Sequence, residues 1–327
     1  NHVMKISVNG CTQLLLCLSV LLFTQLACAT NPQEHLNPVI ATSVSPITNM
    51  VRNIAGSHIR VTGIVPDGAD SHTFDPVPSD AKTLQSADLI IVNGLDLELP
   101  IIKLAEKVRK NSAPVLQLGN LALKREEWQY DFSFPREHGH PNPHLWLNIE
   151  LVMRYVDIIR ENLIALDPAH QSSYDMNAAT YLTKLQKLDQ AIFGCVATIP
   201  ENNRKLVTYH DSFAYFAPRY GMTVIAAVQP SDFSEPSPQE VISIIKQIKD
   251  AGVPAIFGSE VFPSKIMEQI AREAQVKFID QLSDDELPQP PQNSFIGMMV
   301  ANIATMTTAL GGQSNCMSQV DASNIPF

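Results

Sequence analysis

The apolar positions of this chain follow two alternating rhythms. Short runs rich in β-branched residues, such as Leu89-Ile90-Ile91-Val92, are apolar on both faces and predict buried strands of a parallel sheet. Between them lie longer stretches whose apolar residues recur every three or four positions, the mark of amphipathic helices. The longest runs over 169–198. Tyr174, Tyr181, Leu185, Leu188, Ile192 and Val196 fall on one face of it, Asp167-Pro168 marks its start and Pro200 its stop. At a rise of about 1.5 Å per residue it is roughly 45 Å long, enough to span a domain.

The same scheme stands on either side of this helix. Before it, 38–43, 59–65, 88–93 and 114–118 read as strands, and 47–55, 78–86, 97–110 and 149–166 as helices. After it, strands are predicted over 205–209, 223–228, 255–259 and 276–280. Helices are predicted there over 211–220, 239–251, 264–274 and 295–310. Alternation of this kind implies parallel sheets with right-handed crossovers. The fold class is therefore α/β: two lobes, each with a mostly parallel four-stranded sheet flanked by helices, joined by one long rigid helix. The lobes are assigned to 30–166 and 200–312, the linking helix to 167–199. The tail, 313–327, shows no periodicity and is expected to be disordered.

Residues 1–29 read as a targeting segment. An apolar core over 14–23 precedes the small-x-small site Ala27-Cys28-Ala29, so cleavage is expected after Ala29, with export to the periplasm. The alternative is a lipoprotein anchored through Cys28, although Gln25 stands where such sites carry an apolar residue. The apolar run is shorter than the ~20 residues a membrane span needs.

Without that segment the chain keeps 22 basic and 33 acidic side chains, a net charge of −11. No basic patch survives this balance, which argues against nucleic acid as a partner. Cys195 and Cys316 are the two cysteines left. In an oxidising compartment such a pair is often bridged. A Cys195–Cys316 disulfide would tie the end of the long helix to the tail; two buried free thiols are the other reading.

Candidate chemistry comes from histidines placed around strand ends. His72 lies in the loop after one strand, His210 directly follows another, and Asp284 lies beyond a third. His144 sits between the first lobe's last strand and the helix over 149–166. Ligands of open parallel sheets bind outside the carboxyl ends of the strands, so two lobes facing each other would gather these four. Three imidazoles and a carboxylate suit zinc, and are acceptable to manganese. Plainer readings stand beside this: a solvated His72, a core His144 beside Trp146, a His210 that merely precedes a helix capped by Asp211, and an Asp284 that caps a turn. Asp285 is an equal candidate for the carboxylate. His138 and His140 form either an accessory metal-catching loop or a solvated one. Glu260 offers a general base or a further ligand, and a secreted zinc hydrolase would need one. Four protein ligands leave no position for water, however, so the chain is read as no enzyme.

Several motifs resemble the metal-specific solute-binding proteins of bacterial ABC importers, the zinc/manganese cluster A-I group. They are Gly68-Ala-Asp-Ser-His72-Thr-Phe-Asp-Pro76, Ala87-Asp-Leu-Ile-Ile-Val-Asn-Gly94, Asn142-Pro-His144-Leu-Trp-Leu-Asn148, Val207-Thr-Tyr-His210-Asp-Ser-Phe-Ala-Tyr-Phe216 and Leu282-Ser-Asp284. The resemblance covers 38–312. It implies two α/β lobes on one rigid helix, a monomer that captures a divalent metal in the periplasm, and delivery to the membrane permease of an ABC importer. It implies His72, His144, His210 and Asp284 as ligands. Manganese-selective members often carry a carboxylate at the third position, where this chain has His210, which favours Zn2+ over Mn2+. The long His-rich loop of many zinc-specific members is reduced here to Glu137-His-Gly-His140. Asp211 is expected to orient His210 or to cap a helix, and Asp284 or His210 to let go first on release. A binding protein for an organic ligand or metal chelate is the alternative, expected to show an aromatic-lined cleft. A surface adhesin is a further one.

Overall fold

The computed structural model describes residues 37–259, 261 and 265–327. The targeting segment and Glu260 lie outside the described residues. No helix among those described is long and apolar enough to cross a membrane.

The first sheet holds β1 (Val39–Thr42), β2 (Arg60–Gly63), β3 (Leu89–Val92) and β4 (Val115–Gln117), in the order β2-β1-β3-β4 and parallel throughout. All four residues of β3 are buried, as its unbroken apolar run requires. The second sheet repeats the order with β5 (Lys205–Thr208), β6 (Thr223–Ala227), β7 (Ala255–Ser259) and β8 (Lys277–Leu282): β6-β5-β7-β8, again parallel. In each sheet the chain reverses direction between its first and third strands, and the crevice at that switch is where such sheets bind ligands.

The first-lobe helices are α1 (Ser45–Ala55), α2 (Pro78–Ser86), α3 (Leu99–Val108), a short α4 (Leu118–Ala122) and α5 (Ile149–Leu166). The strut, α6 (Gln171–Thr198), follows a single 3-10 turn at Pro168–His170. Its predicted stripe from Tyr174 to Val196 is buried throughout. It packs against α1, α5 and the last helix of the chain, α10 (Phe295–Ala309), so one continuous core runs through both lobes. A smaller core lies in the second lobe, where α8 (Pro238–Ala251) and α9 (Lys265–Ala274) cover β5, β6 and β7. Ser237 caps α8 and exchanges bonds with Glu240, while Gly252 ends it in a left-handed conformation.

Two expectations need correcting. The helix predicted over 211–220 is only α7, Phe216–Tyr220. The preceding residues spend their carbonyls on side-chain bonds: Thr208 Oγ1 donates locally to the His210 carbonyl and Asn142 Nδ2, from the other lobe, to the Asp211 carbonyl, each at 2.7 Å. The tail is also not disordered. Cys195 and Cys316 are bridged, Met317 and Ile325 are buried, and Lys184 on the strut pairs with Asp321. Ile325 donates its backbone N–H to Asn53 Oδ1, and Asn324 accepts from Asn49 and Asn53 of α1. Side-chain amides and one covalent bond order this segment, and neither leaves a periodic trace.

Candidate metal centre

The three histidines converge. His72 comes from the loop after β2, His144 from the turn before α5, and His210 lies two residues past β5. Their Nε2 atoms form a near-equilateral triangle: 3.1 Å from His72 to His144, 3.1 Å from His72 to His210 and 3.0 Å from His144 to His210. Asp284 brings Oδ2 to 3.8 Å from His210 Nε2. His144, His210 and Asp284 are buried; His72 is half-buried. Among the described residues this is the one cluster of three or more histidine, cysteine, aspartate or glutamate side chains close enough to share an ion.

Asp284 is a carboxylate set against His210. Its loop is held from both lobes. Trp146 Nε1 donates to the Asp284 carbonyl at 2.5 Å, and Asn302 on α10 bonds both backbone groups of Ser283. His138 and His140 are exposed and stand apart from the cluster, with His140 Nδ1 2.7 Å from Asp96 Oδ2. Asp96 ends a run, Gly94-Leu95-Asp96, in which all three φ angles are positive. A Cβ on Gly94 would lie 2.3 Å from Asn120 Oδ1, so the turn admits glycine alone at its start.

The amide oxygens behind the rings decide their chemistry. Asn142 Oδ1 lies 2.7 Å from His144 Nδ1 and also accepts from the His144 backbone N–H. Gln229 Oε1 lies 2.7 Å from His210 Nδ1. An amide oxygen only accepts, so each ring carries its proton on Nδ1 and presents a bare lone pair at Nε2. Burial, then the repulsion that a second proton on neighbouring His210 would bring, holds His72 well below the usual histidine pKa; burial and the same repulsion from His210 and His72 hold His144 down. Lone pairs at this separation repel one another unless a cation stands between them.

Asp211 plays neither expected part. The oriented nitrogen of His210 is bonded by Gln229, and Asp211 does not start a helix. Asp211 Oδ2 accepts from the Ser133 backbone N–H, and its buried Oδ1 lacks a donor. Beside it burial, reinforced by the Asp211 charge, raises the Asp131 pKa to about 10. A proton shared by the Asp131–Asp211 pair would supply the missing donor. Asn142 Nδ2 reaches both the Asp131 carboxyl and the Asp211 carbonyl, so this one amide ties the His144 turn to the His210 turn.

Residues 40–309 match the family of the zinc-uptake complex component A, periplasmic. The chain belongs to that family. Iron-binding protein YfeA of Yersinia pestis is 31% identical over 292 residues, 88% of this chain and 92% of that protein. Manganese-binding lipoprotein MntA of Halalkalibacterium halodurans is 30% identical over 273 residues, 83% of this chain and 88% of that protein. Among solved structures, the periplasmic zinc-binding protein TroA of Treponema pallidum superposes with a TM-score of 0.76 at 28% identity, covering 84% of this chain and 99% of that one. The two-lobed fold with its long connecting helix is that of this family, and metal-binding substrate-binding proteins of ABC importers are its members.

The sequence reading missed the parts around the rings. No motif includes Gln229, and Asn142 stands in one only beside His144. Asn93, which donates to the Pro143 carbonyl at 2.8 Å and so fixes the approach to His144, was seen only as a strand end. The turn before Asn93 and Gly94 is pinned by the buried Glu98, which accepts from both backbone N–H groups and from Ser43 Oγ. A neutral amide carries no spacing signal for such a role.

Proposed function

We propose that this protein captures one divalent metal ion between its lobes, with His72, His144, His210 and Asp284 as ligands, and delivers it to an ABC permease from the periplasm. The observation that carries this reading is the triangle of three Nε2 atoms, two of them fixed as lone-pair donors, with a carboxylate at its edge. An ion about 2 Å from each nitrogen sits roughly 1 Å off their plane, leaving a fourth position that a carboxylate can fill. Zn2+ is favoured over Mn2+. A nitrogen-majority set of four suits a tetrahedral ion, whereas manganese prefers more oxygen ligands. The relatives bear names for iron, manganese and zinc, so the donor set supports zinc here and family membership does not select among them. The fully coordinated ion leaves no site for a reacting water, in keeping with a carrier.

A metal bridging both lobes stabilises their docked arrangement by mass action. Elemental analysis of the purified protein, then competition titration with zinc and manganese on wild type and His210→Ala, tests the reading. One tightly held zinc, weakened by at least a hundredfold in the variant, is expected. No stoichiometric metal and no binding by the stripped protein would overturn it.

A further inference from the structure

The ligand cluster has one weak wall. His144 and His210 are buried and each is tethered through Nδ1 to an amide oxygen. His72 is half-buried, and among the described residues its Nδ1 has no hydrogen-bond partner. Its backbone is fixed by Asp70 Oδ1, which accepts from the His72 N–H, but the ring itself is held only by contact. His72 lines a cavity of about 160 Å³ together with Phe134, His138, His140 and Phe233. Of the three imidazoles, His72 alone lines it.

The ring that holds His72 in place comes from the other lobe. Phe233, in the loop between β6 and α8, stacks on His72 with centroids 4.9 Å apart and planes 26° apart. Phe134 flanks both rings, 5.6 Å from His72 and 6.0 Å from Phe233. Phe233 has φ +59, a left-handed conformation that a bulky side chain rarely adopts. Its backbone N–H donates to the Pro230 carbonyl, and the turn is completed by Ser234, whose N–H and hydroxyl both donate to Asp232 Oδ1. Strain at one residue persists only where the surroundings impose it, and it gathers at clamps and moving parts. Phe233 is half-buried on an exposed loop, so little packing opposes its withdrawal.

We infer that His72 is the exchanging ligand and Phe233 the door that holds it closed: the metal arrives and leaves on the cavity side, as the second-lobe loop withdraws Phe233 and the untethered His72 ring swings into the space beyond. The inference rests on the capture reading. It assigns the opening step to the first lobe's His72, in place of the release through Asp284 or His210 that the motifs alone suggested. Where the stack on His72 is the same in the stripped and the loaded protein, removing the ring changes the rates in both directions and leaves their ratio nearly fixed.

Stopped-flow mixing of the stripped full-length chain with Zn2+ gives the association rate. Displacement of bound Zn2+ by excess chelator gives the dissociation rate. Phe233→Ala removes the ring; Phe233→Asn removes the ring and also suits the left-handed backbone; Phe233→Tyr keeps the ring. The Ala and Asn variants are expected to raise both rate constants about tenfold while their ratio moves less than threefold, and the Tyr variant to stay within twofold of wild type. Rates within twofold of wild type in both ring-less variants would overturn the door. So would faster dissociation alone, with affinity lost in proportion. A wild-type chain that binds no Zn2+ would instead overturn the capture reading on which the door depends.

Discussion

Trp146, from the turn that carries His144, donates its indole N–H to the main-chain carbonyl of Asp284 in the other lobe. One side chain therefore joins the two lobes directly behind the cluster. Both partners are buried, so the bond is shielded from competing water. Trp146→Phe keeps most of the ring and removes the donor. Leaving a buried acceptor unpaired costs about 1–3 kcal/mol. If half of that falls on the metal-bound arrangement, affinity drops about twofold to tenfold; a competition titration against a chelator of known strength measures it.

The amides behind the rings make a second prediction. Asn142→Leu and Gln229→Leu each remove the acceptor that fixes a histidine proton on Nδ1. Loss of such outer partners typically costs 10–100-fold in metal affinity. Asn142→Leu should be the more damaging, because the same amide also bonds Asp131 and the Asp211 carbonyl. Affinity for zinc in both variants, with thermal unfolding of the stripped forms as a control, separates orientation from folding.

The imidazoles of the cluster set the response to acid. His72 and His144 titrate well below the ordinary value, chiefly through burial. Between the folded value and about 6.5, where an unfolded histidine protonates, the unfolded chain binds more protons than the folded one. Stability of the stripped protein therefore rises with pH across that window and falls as acid is added. Metal binding needs neutral rings and competes with protons only once they bind. The expected outcome is a stripped protein whose Tm drops as pH goes below 6.5, with zinc retained to a lower pH than free imidazole would allow. Calorimetry and metal retention across one pH series report both.

Asp131 works in the opposite sense. Its pKa, raised to about 10, lies far above the unfolded value near 3.9. A raised carboxyl contributes stability fully present below the unfolded pKa and lost as pH rises toward the folded one. Asp131→Asn is neutral at every pH and can still donate to Asp211. The variant should gain on wild type as pH rises from 4 to 9, by about 2 °C or more in Tm at the upper end. Parallel curves over that range would show that Asp131 holds no extra proton.

The disulfide gives a stability prediction. Cys195 and Cys316 are 121 residues apart. A loop of this size is worth about 4–5 kcal/mol in the chain-entropy account, and native bridges typically contribute about 2–5. Cys316→Ser should lower the unfolding free energy by that amount in urea titration, with early loss of the contacts that Asn324 and Ile325 make to α1.

Much of this protein was legible because its pattern is local. Apolar steps of three and four fixed the strut, and the buried stripe from Tyr174 to Val196 matches residue for residue. Short apolar runs between helical stretches gave all eight strands within two residues, most plainly at Leu89–Val92, where a strand covered on both faces has no use for polar positions. The position of His72, His144, His210 and Asp284 beyond strand ends followed from the rule that parallel sheets bind at those ends. Tertiary structure alone decided the rest, because those interactions link residues with no periodic relation. The His72–His210 contact spans 138 positions. Asp284 is held beside His210 by one loop pinned between Trp146 and Asn302. Gln229 and Asn142 act through neutral amides, which composition and spacing treat as surface. The helix expected from Asp211 stops short because its carbonyls found partners elsewhere, and the tail is ordered by one sulfur bridge and a few asparagines. Periodicity records which face of an element is buried; it holds no record of which distant side chain will meet it there.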